Sequence, residues 1–254
     1  MRTFAIGDIH GAYKALIQCL ERSGFDRKND QLITLGDICD GWSETFECVE
    51  ELHTIENRID LRGNHDEWFR RWLLGGTHPD YWIQGGVKTA ISYLRQIGKE
   101  DMITGNKYSG YLVALNPGDI PVYHWKFFNS QQLYYQRGMQ FFVHAGFDRF
   151  ASVKENKAGR EETFYWDREL WKQARSCGNH VKLTTVDCFS EIFIGHTTCS
   201  KIDNMKPVCA GGVWNLDTGA GWEGKLTIMD VDTKEYWQSD VVTTLYPEET
   251  ARRK

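Results

Sequence analysis

Thr3-Phe4-Ala5-Ile6-Gly7-Asp8-Ile9-His10-Gly11 is a short apolar run that ends on a carboxylate and an imidazole two residues apart, with glycines on either side. Four more runs end in the same manner. Leu32 to Leu35 meets Gly36-Asp37-Ile38-Cys39-Asp40-Gly41, and Ile59 to Leu61 meets Arg62-Gly63-Asn64-His65-Asp66. Gln140 to Val143 meets His144-Ala145-Gly146, and Ile192 to Ile194 meets Gly195-His196-Thr197. Each run has the length and residue types of a buried strand, which puts the polar clusters on strand-end loops. Between the first two runs Leu16, Ile17 and Leu20 recur at helical spacing, and between the next two Phe46, Val49, Leu52 and Ile55 do the same. A strand-helix-strand-helix-strand order with right-handed crossovers makes the strands parallel and gathers their C-terminal ends on one sheet edge. The reading is therefore an α/β fold with a composite site at that edge.

Working outward, Glu67 to Leu74 reads as a helix, and Thr89 to Ile97 as another after a break at Gly85-Gly86. Residues 101–137, with Pro117-Gly118 and many aromatics, read as a cap or as partner helices over the site. Val213 to Leu216 and Lys225 to Val231 read as strands of a second sheet packed on the first, and Glu248 to Lys254 as a solvated, frayed tail. The expectation is one domain over 1–245 and a flexible segment over 246–254.

The 254 residues, 41% hydrophobic and 26% charged, suit a globular chain with a full core rather than a disordered one. A net charge of -5 supplies no global attraction for nucleic acid or anionic membrane, so neither is an expected partner. Met1-Arg2 leads directly into the first strand, leaving no signal peptide to expect, and no apolar run approaches the ~20 residues of a membrane span. Seven cysteines without a C-x-x-C pair fit a reducing, cytoplasmic setting, and Cys39 reads as a small apolar strand-end residue rather than a ligand.

The chemistry lies in the combination of clusters. A lone His after an apolar strand is more often a satisfied core or surface histidine than a ligand. Five strand ends carrying Asp, Asn and His together are another matter, because unpaired buried polar groups are costly. Carboxylate oxygen with imidazole nitrogen suits Mn, Fe, Zn and similar cations.

These clusters resemble the calcineurin-like metallophosphoesterases, and especially their phosphoprotein phosphatase branch of small bacterial and phage Ser/Thr phosphatases. The family pattern G-D-x-H-G, G-D-x-x-D-R-G, R-G-N-H-E, H-A-G and G-H-T appears here in order as Gly7 to Gly11, Gly36 to Trp42, Arg62 to Asp66, His144 to Gly146 and Gly195 to Thr197. Trp166-Asp167-Arg168-Glu169 also looks like a family signature. The resemblance implies a four-layer β-sandwich flanked by helices. It implies two divalent ions, with Mn the family's usual choice and Fe, Zn or Ni able to compete. Asp8 and His10 would hold one ion, Asn64, His144 and His196 the other, and Asp37 would bridge them. It further implies attack by a hydroxide shared between the ions, His65 as the general acid oriented by Asp40, and Arg62 and Arg168 as phosphate-binding arginines. Two departures stand out: Gly41-Trp42 replaces the usual Arg-Gly, and Asp66 replaces the usual Glu.

The leading expectation is hydrolysis of phosphate monoesters, on phosphorylated protein or small esters. A dinucleoside polyphosphate (diadenosine tetraphosphate) hydrolase is the alternative that Gly41 keeps open, and a non-catalytic module for phosphorylated ligands is a third. His53 reads as the polar side of a helix, and His78, His124 and His180 as solvent-facing or locally hydrogen-bonded. Trp68, Trp72, Tyr81 and Trp82 could stack on a nucleotide base, but their spacing favours core packing.

Overall fold

A computed structural model describes residues 1–75, 77–177, 181–200 and 205–251, so the expectation for His180 lies outside the described residues. In chain order the elements are β1 (Thr3–Ile6), α1 (Tyr13–Arg22), β2 (Gln31–Thr34), α2 (Thr45–His53), β3 (Asn57–Asp60), α3 (Asn64–Leu73) and α4 (Gly86–Gln96). The hairpin β4 (Ile103–Asn106) and β5 (Gly110–Val113) follows, then α5 (Val122–Ser130), β6 (Tyr134–Arg137) and β7 (Gln140–Val143). The remainder is α6 (Val153–Gly159), α7 (Thr163–Trp166), α8 (Glu169–Ser176), β8 (Glu191–Ile194), β9 (Val208–Ala210), β10 (Val213–Asn215), β11 (Thr227–Asp230), β12 (Tyr236–Gln238) and α9 (Val242–Leu245).

Two five-stranded sheets, ordered β12-β11-β1-β2-β3 and β6-β7-β8-β10-β9, stack face to face. The strands β1, β2 and β3 are parallel, as are β7, β8 and β10. Side-chain alternation explains why these runs are apolar throughout. Ala5, Ile33, Phe142, Phe193 and Met229 fill the space between the sheets, with Phe142 stacked on Phe193 at 4.8 Å. Phe4, Ile6 and Leu32 point the other way, onto α1 to α5. Phe141, Val143, Ile192 and Ile194 pack onto α6, α7 and α8. The layering is helix, sheet, sheet, helix, the α/β sandwich that the resemblance implies.

Three readings of the sequence change. The second-sheet assignment holds for β10, but β11 pairs antiparallel with β1 and so completes the first sheet. Residues 101–137 hold the hairpin β4–β5, the helix α5 and the edge strand β6 instead of a helical cap alone. The supposed tail is docked up to Glu249: Tyr246 is buried and stacks on Trp42 at 4.9 Å, and Glu249 accepts from Ser43 Oγ (2.6 Å) and Lys88 Nζ (2.8 Å). A charged stretch looks solvated in sequence when its partners lie about 160–200 residues away. Among the described residues, no helix is long and apolar enough to cross a membrane.

Candidate active site

The loops after β1, β2 and β3 and those after β7 and β8 converge at one edge of the sandwich. Strand alternation cannot continue there: His10, Asp37, Asp40 and His196 all take positive φ, 52°, 51°, 64° and 64°. Backbone strain of this kind in non-glycine residues persists only where surrounding bonds over-determine it. The backbone N–H of His65 donates to Asp37 Oδ1 (3.0 Å), and that of His196 donates to Asp8 Oδ2 (3.0 Å), so each loop is tied to another strand's carboxylate. Gly63 and Gly195 are glycine for the same reason. A Cβ at either would sit 2.0 Å from Asp37 Oδ1 or Asp8 Oδ1.

All six residues expected as ligands meet here. His10 Nε2 lies 3.6 Å from Asp37 Oδ2 and 4.0 Å from Asp8 Oδ2. His144 Nε2 lies 3.5 Å from Asp37 Oδ1 and 3.2 Å from Asn64 Oδ1, and His196 Nδ1 lies 2.8 Å from the same Asn64 oxygen. Two groups of donor atoms, His10–Asp37–His65 and Asp37–His144–His196, are each compact enough to hold an ion, and Asp37 belongs to both.

The tautomers test whether cations fit. Burial is the main cause that pulls His144 down to about 3, so the ring is neutral and carries one N–H. That hydrogen goes to the Leu35 carbonyl, 2.7 Å from Nδ1. Nε2 then presents its lone pair to the Asn64 oxygen, a lone-pair-to-lone-pair contact that an interposed cation makes favourable. His10 places Nδ1 3.0 Å from the Cys39 carbonyl and turns Nε2 toward the carboxylates of Asp8 and Asp37. Burial, with the neighbouring His144 next, likewise holds His196 well below the usual histidine range. The donor set fits divalent cations.

His65 and Asp40 also meet, His65 Nδ1 lying 3.1 Å from Asp40 Oδ2. Thr89 of α4 donates its hydroxyl to Asp40 Oδ1 (2.8 Å) and accepts from the Asp40 N–H (2.8 Å). Arg168, exposed at the rim, donates to Thr197 Oγ1 (2.9 Å), next to His196. Arg62 is the other arginine expected at the phosphate. Its guanidinium bonds the Gln131 carbonyl (3.1 Å), pairs with Glu67 (3.4 Å) and lines a separate recess with Lys157 and Glu161. The bridge of Leu61 to Gln132 fixes the chain there and aims Arg62 toward the start of β6.

Four contributions lie outside the set of expected site residues. Asp66, which reads as a mere shortening of Glu, is a fully buried strut: Oδ1 accepts from Ile38 N–H (2.8 Å) and Oδ2 from Gly63 N–H (3.1 Å) and Gln131 Nε2 (2.9 Å). Burial raises its pKa to about 6. Thr89 is the second. The third and fourth are Trp68 and Trp166, rings 5.4 Å apart, which form a wall against His65 (4.8 Å from Trp68) and His196 (5.8 Å from Trp166). Trp72 and Trp82 are core residues, whereas Tyr81 is exposed. His78 and His124 are buried rather than solvent-facing, bonded to Asp80 and to Glu50 with Tyr93 respectively. No side chain fits readily at Gly41, where a Cβ would stand 2.6 Å from the His10 carbonyl.

Comparison with known proteins completes the description. The family model for calcineurin-like phosphoesterases matches residues 1–197. The symmetrical bis(5'-nucleosyl)-tetraphosphatase of Baumannia cicadellinicola subsp. Homalodisca coagulata is 24% identical, over 94% of this chain and 92% of that protein. Among solved structures, a provisionally assigned diadenosine tetraphosphatase superposes with a TM-score of 0.55 at 14% identity, over 93% of this chain and 92% of that one. A metallophosphoesterase from Sphaerobacter thermophilus does so with a TM-score of 0.51 at 14% identity, over 97% and 95%. At such identities the structural likeness speaks for the fold alone.

Proposed function

Because this chain belongs to the calcineurin-like phosphoesterases, a hydrolase family that uses divalent metal ions, we propose that it cleaves dinucleoside polyphosphates of the diadenosine tetraphosphate type. The observation that carries the hydrolytic reading is the convergence of two donor groups on one shared carboxylate, Asp37. In this reading Asp8 and His10 would hold one ion and Asn64, His144 and His196 the other, with Asp37 serving both groups. Such a pair, when bound, supplies a water of lowered pKa and positive charge to offset the phosphoryl oxygens.

The protein's own groups do the remainder. Asp40 holds Nδ1 of His65, so the opposite ring nitrogen is the one that hands a proton to the leaving oxygen. Thr89 keeps the Asp40 carboxylate turned toward His65. Arg168 offers its planar donors to phosphate oxygens at the rim. The Trp68–Trp166 wall gives a nucleobase a face to stack on.

For the substrate, similarity along nearly the whole length to a protein named as a symmetrical tetraphosphatase favours the dinucleotide over the phosphomonoester that the motifs put first. Gly41 in the place of the family's usual arginine supports the same preference, since it removes a clamp for a terminal phosphate dianion. The test is to supply the protein with manganese and compare diadenosine tetraphosphate with a phosphoserine peptide at equal concentration. Nucleotide products at a kcat/KM well above that for peptide dephosphorylation are expected. Efficient phosphate release from the peptide with the dinucleotide left intact reverses the assignment.

A further inference from the structure

A recess of about 590 Å³ opens beside Gly41, between the start of α4, the β4–β5 hairpin, Trp222 and the docked C-terminal segment at Thr250 and Ala251. Its volume lies within the range of small-molecule sites. Among the described residues its lining includes Lys88 and Lys107 and no carboxylate, in a chain whose net charge is -5. Lys88 is paired with Glu249, so the positive charge offered to an anionic ligand is chiefly that of Lys107. Tyr108, Tyr111 and Trp222 add aromatic surface, and Tyr108 is 86% exposed.

The recess also joins the catalytic edge. Gly41, which lines the recess, follows Asp40 and packs against the His10 backbone so closely that a Cβ would stand 2.6 Å from the His10 carbonyl. On the other side, Lys88 precedes Thr89, whose hydroxyl bonds Asp40. Lys88 itself is held in place by Glu249 (2.8 Å).

We propose that this recess is a nucleotide subsite, with tyrosine or tryptophan stacking against a base and Lys107 and Lys88 meeting phosphate oxygens. The proposal rests on the dinucleotide reading above. That substrate carries a nucleoside at both ends, and the Trp68–Trp166 wall and the recess offer one aromatic platform each.

The experiment has two arms, both on the full chain with manganese. The first compares kcat/KM for diadenosine tetraphosphate with that for p-nitrophenyl phosphate in the wild type, Tyr108→Ala and Lys107→Ala. The second measures inhibition of p-nitrophenyl phosphate turnover by ADP, with pyrophosphate as the control for metal chelation. The expected result is that the dinucleotide-to-nitrophenyl ratio falls about tenfold in Tyr108→Ala, through KM, and that ADP inhibits more tightly than pyrophosphate only while Tyr108 is present. Cleavage of the dinucleotide with an unmoved ratio overturns the subsite and leaves the substrate reading standing. No cleavage, but ADP inhibition that depends on Tyr108, upholds the subsite and removes the reading. ADP no better than pyrophosphate in the wild type overturns the subsite.

Discussion

The strand-end edge and the recess beside Gly41 lie next to each other and are built in opposite ways. At the edge, five loops are bound to one another by buried carboxylates, with positive φ at four of the residues and glycines that admit no Cβ. The recess is assembled from a helix start, a hairpin and a C-terminal segment, joined by single contacts such as Lys88 to Glu249 and the Tyr111 N–H to the Tyr81 carbonyl. Groups that must stand within about half an ångström of one another need the first kind of construction, while groups that select among substrates can use the second.

If this contrast is right, substitutions at the edge cost rate and metal, and those at the flanks cost preference. Asp37→Asn breaks both donor groups at once, so metal content by atomic absorption and turnover of p-nitrophenyl phosphate are expected to fall together, the rate by about 10³-fold or more. An active Asp37→Asn protein removes the shared-carboxylate site. His65→Ala is expected to lower kcat by about 10²-fold on a phosphoserine peptide with metals retained, and by less on p-nitrophenyl phosphate, whose leaving group needs little protonation. Equal loss on both substrates argues against a proton donor.

Asp66→Ala sharpens the structural side of the contrast. It leaves the Ile38 and Gly63 amides buried and unsatisfied, a loss of about 3 kcal/mol that calorimetry would show as a melting point lower by roughly 6–12 °C. An unchanged melting point means that the strut is dispensable. The smallest effect belongs to the rim. Trp166→Ala is expected to raise KM for diadenosine tetraphosphate roughly five- to tenfold with kcat preserved, and a fall in kcat alone places the ring in the chemistry instead.

The same contrast explains what was legible beforehand. Asp8, His10, Asp37, Asn64, His144 and His196 could be picked out because each lies within about four residues of a strand's end, and strand ends on one edge are bound to meet. The apolar runs at Phe4-Ala5-Ile6 and Phe141-Phe142-Val143 were readable as buried strands, whereas the sandwich came from the family resemblance. Arg62 was expected from the family pattern alone, and that pattern carries no information about the bridge of Leu61 to Gln132 that sets its direction. Thr89, Trp222 and Thr250 carry no local pattern that singles them out. Their positions depend on how α4, the β10–β11 connection and the C-terminal segment come together, which only the folded chain reveals.

Asn64 begins a helix that follows the first sheet, whereas His144 and His196 end strands of the second, and the three meet across the mouth of the sandwich. An ion held among them would act as a rivet between the sheets. Loading the centre and locking the two halves of the protein together would then be one equilibrium, with a stabilisation that grows as the logarithm of free metal. Titrating the ion while following the melting point would read occupancy without any substrate.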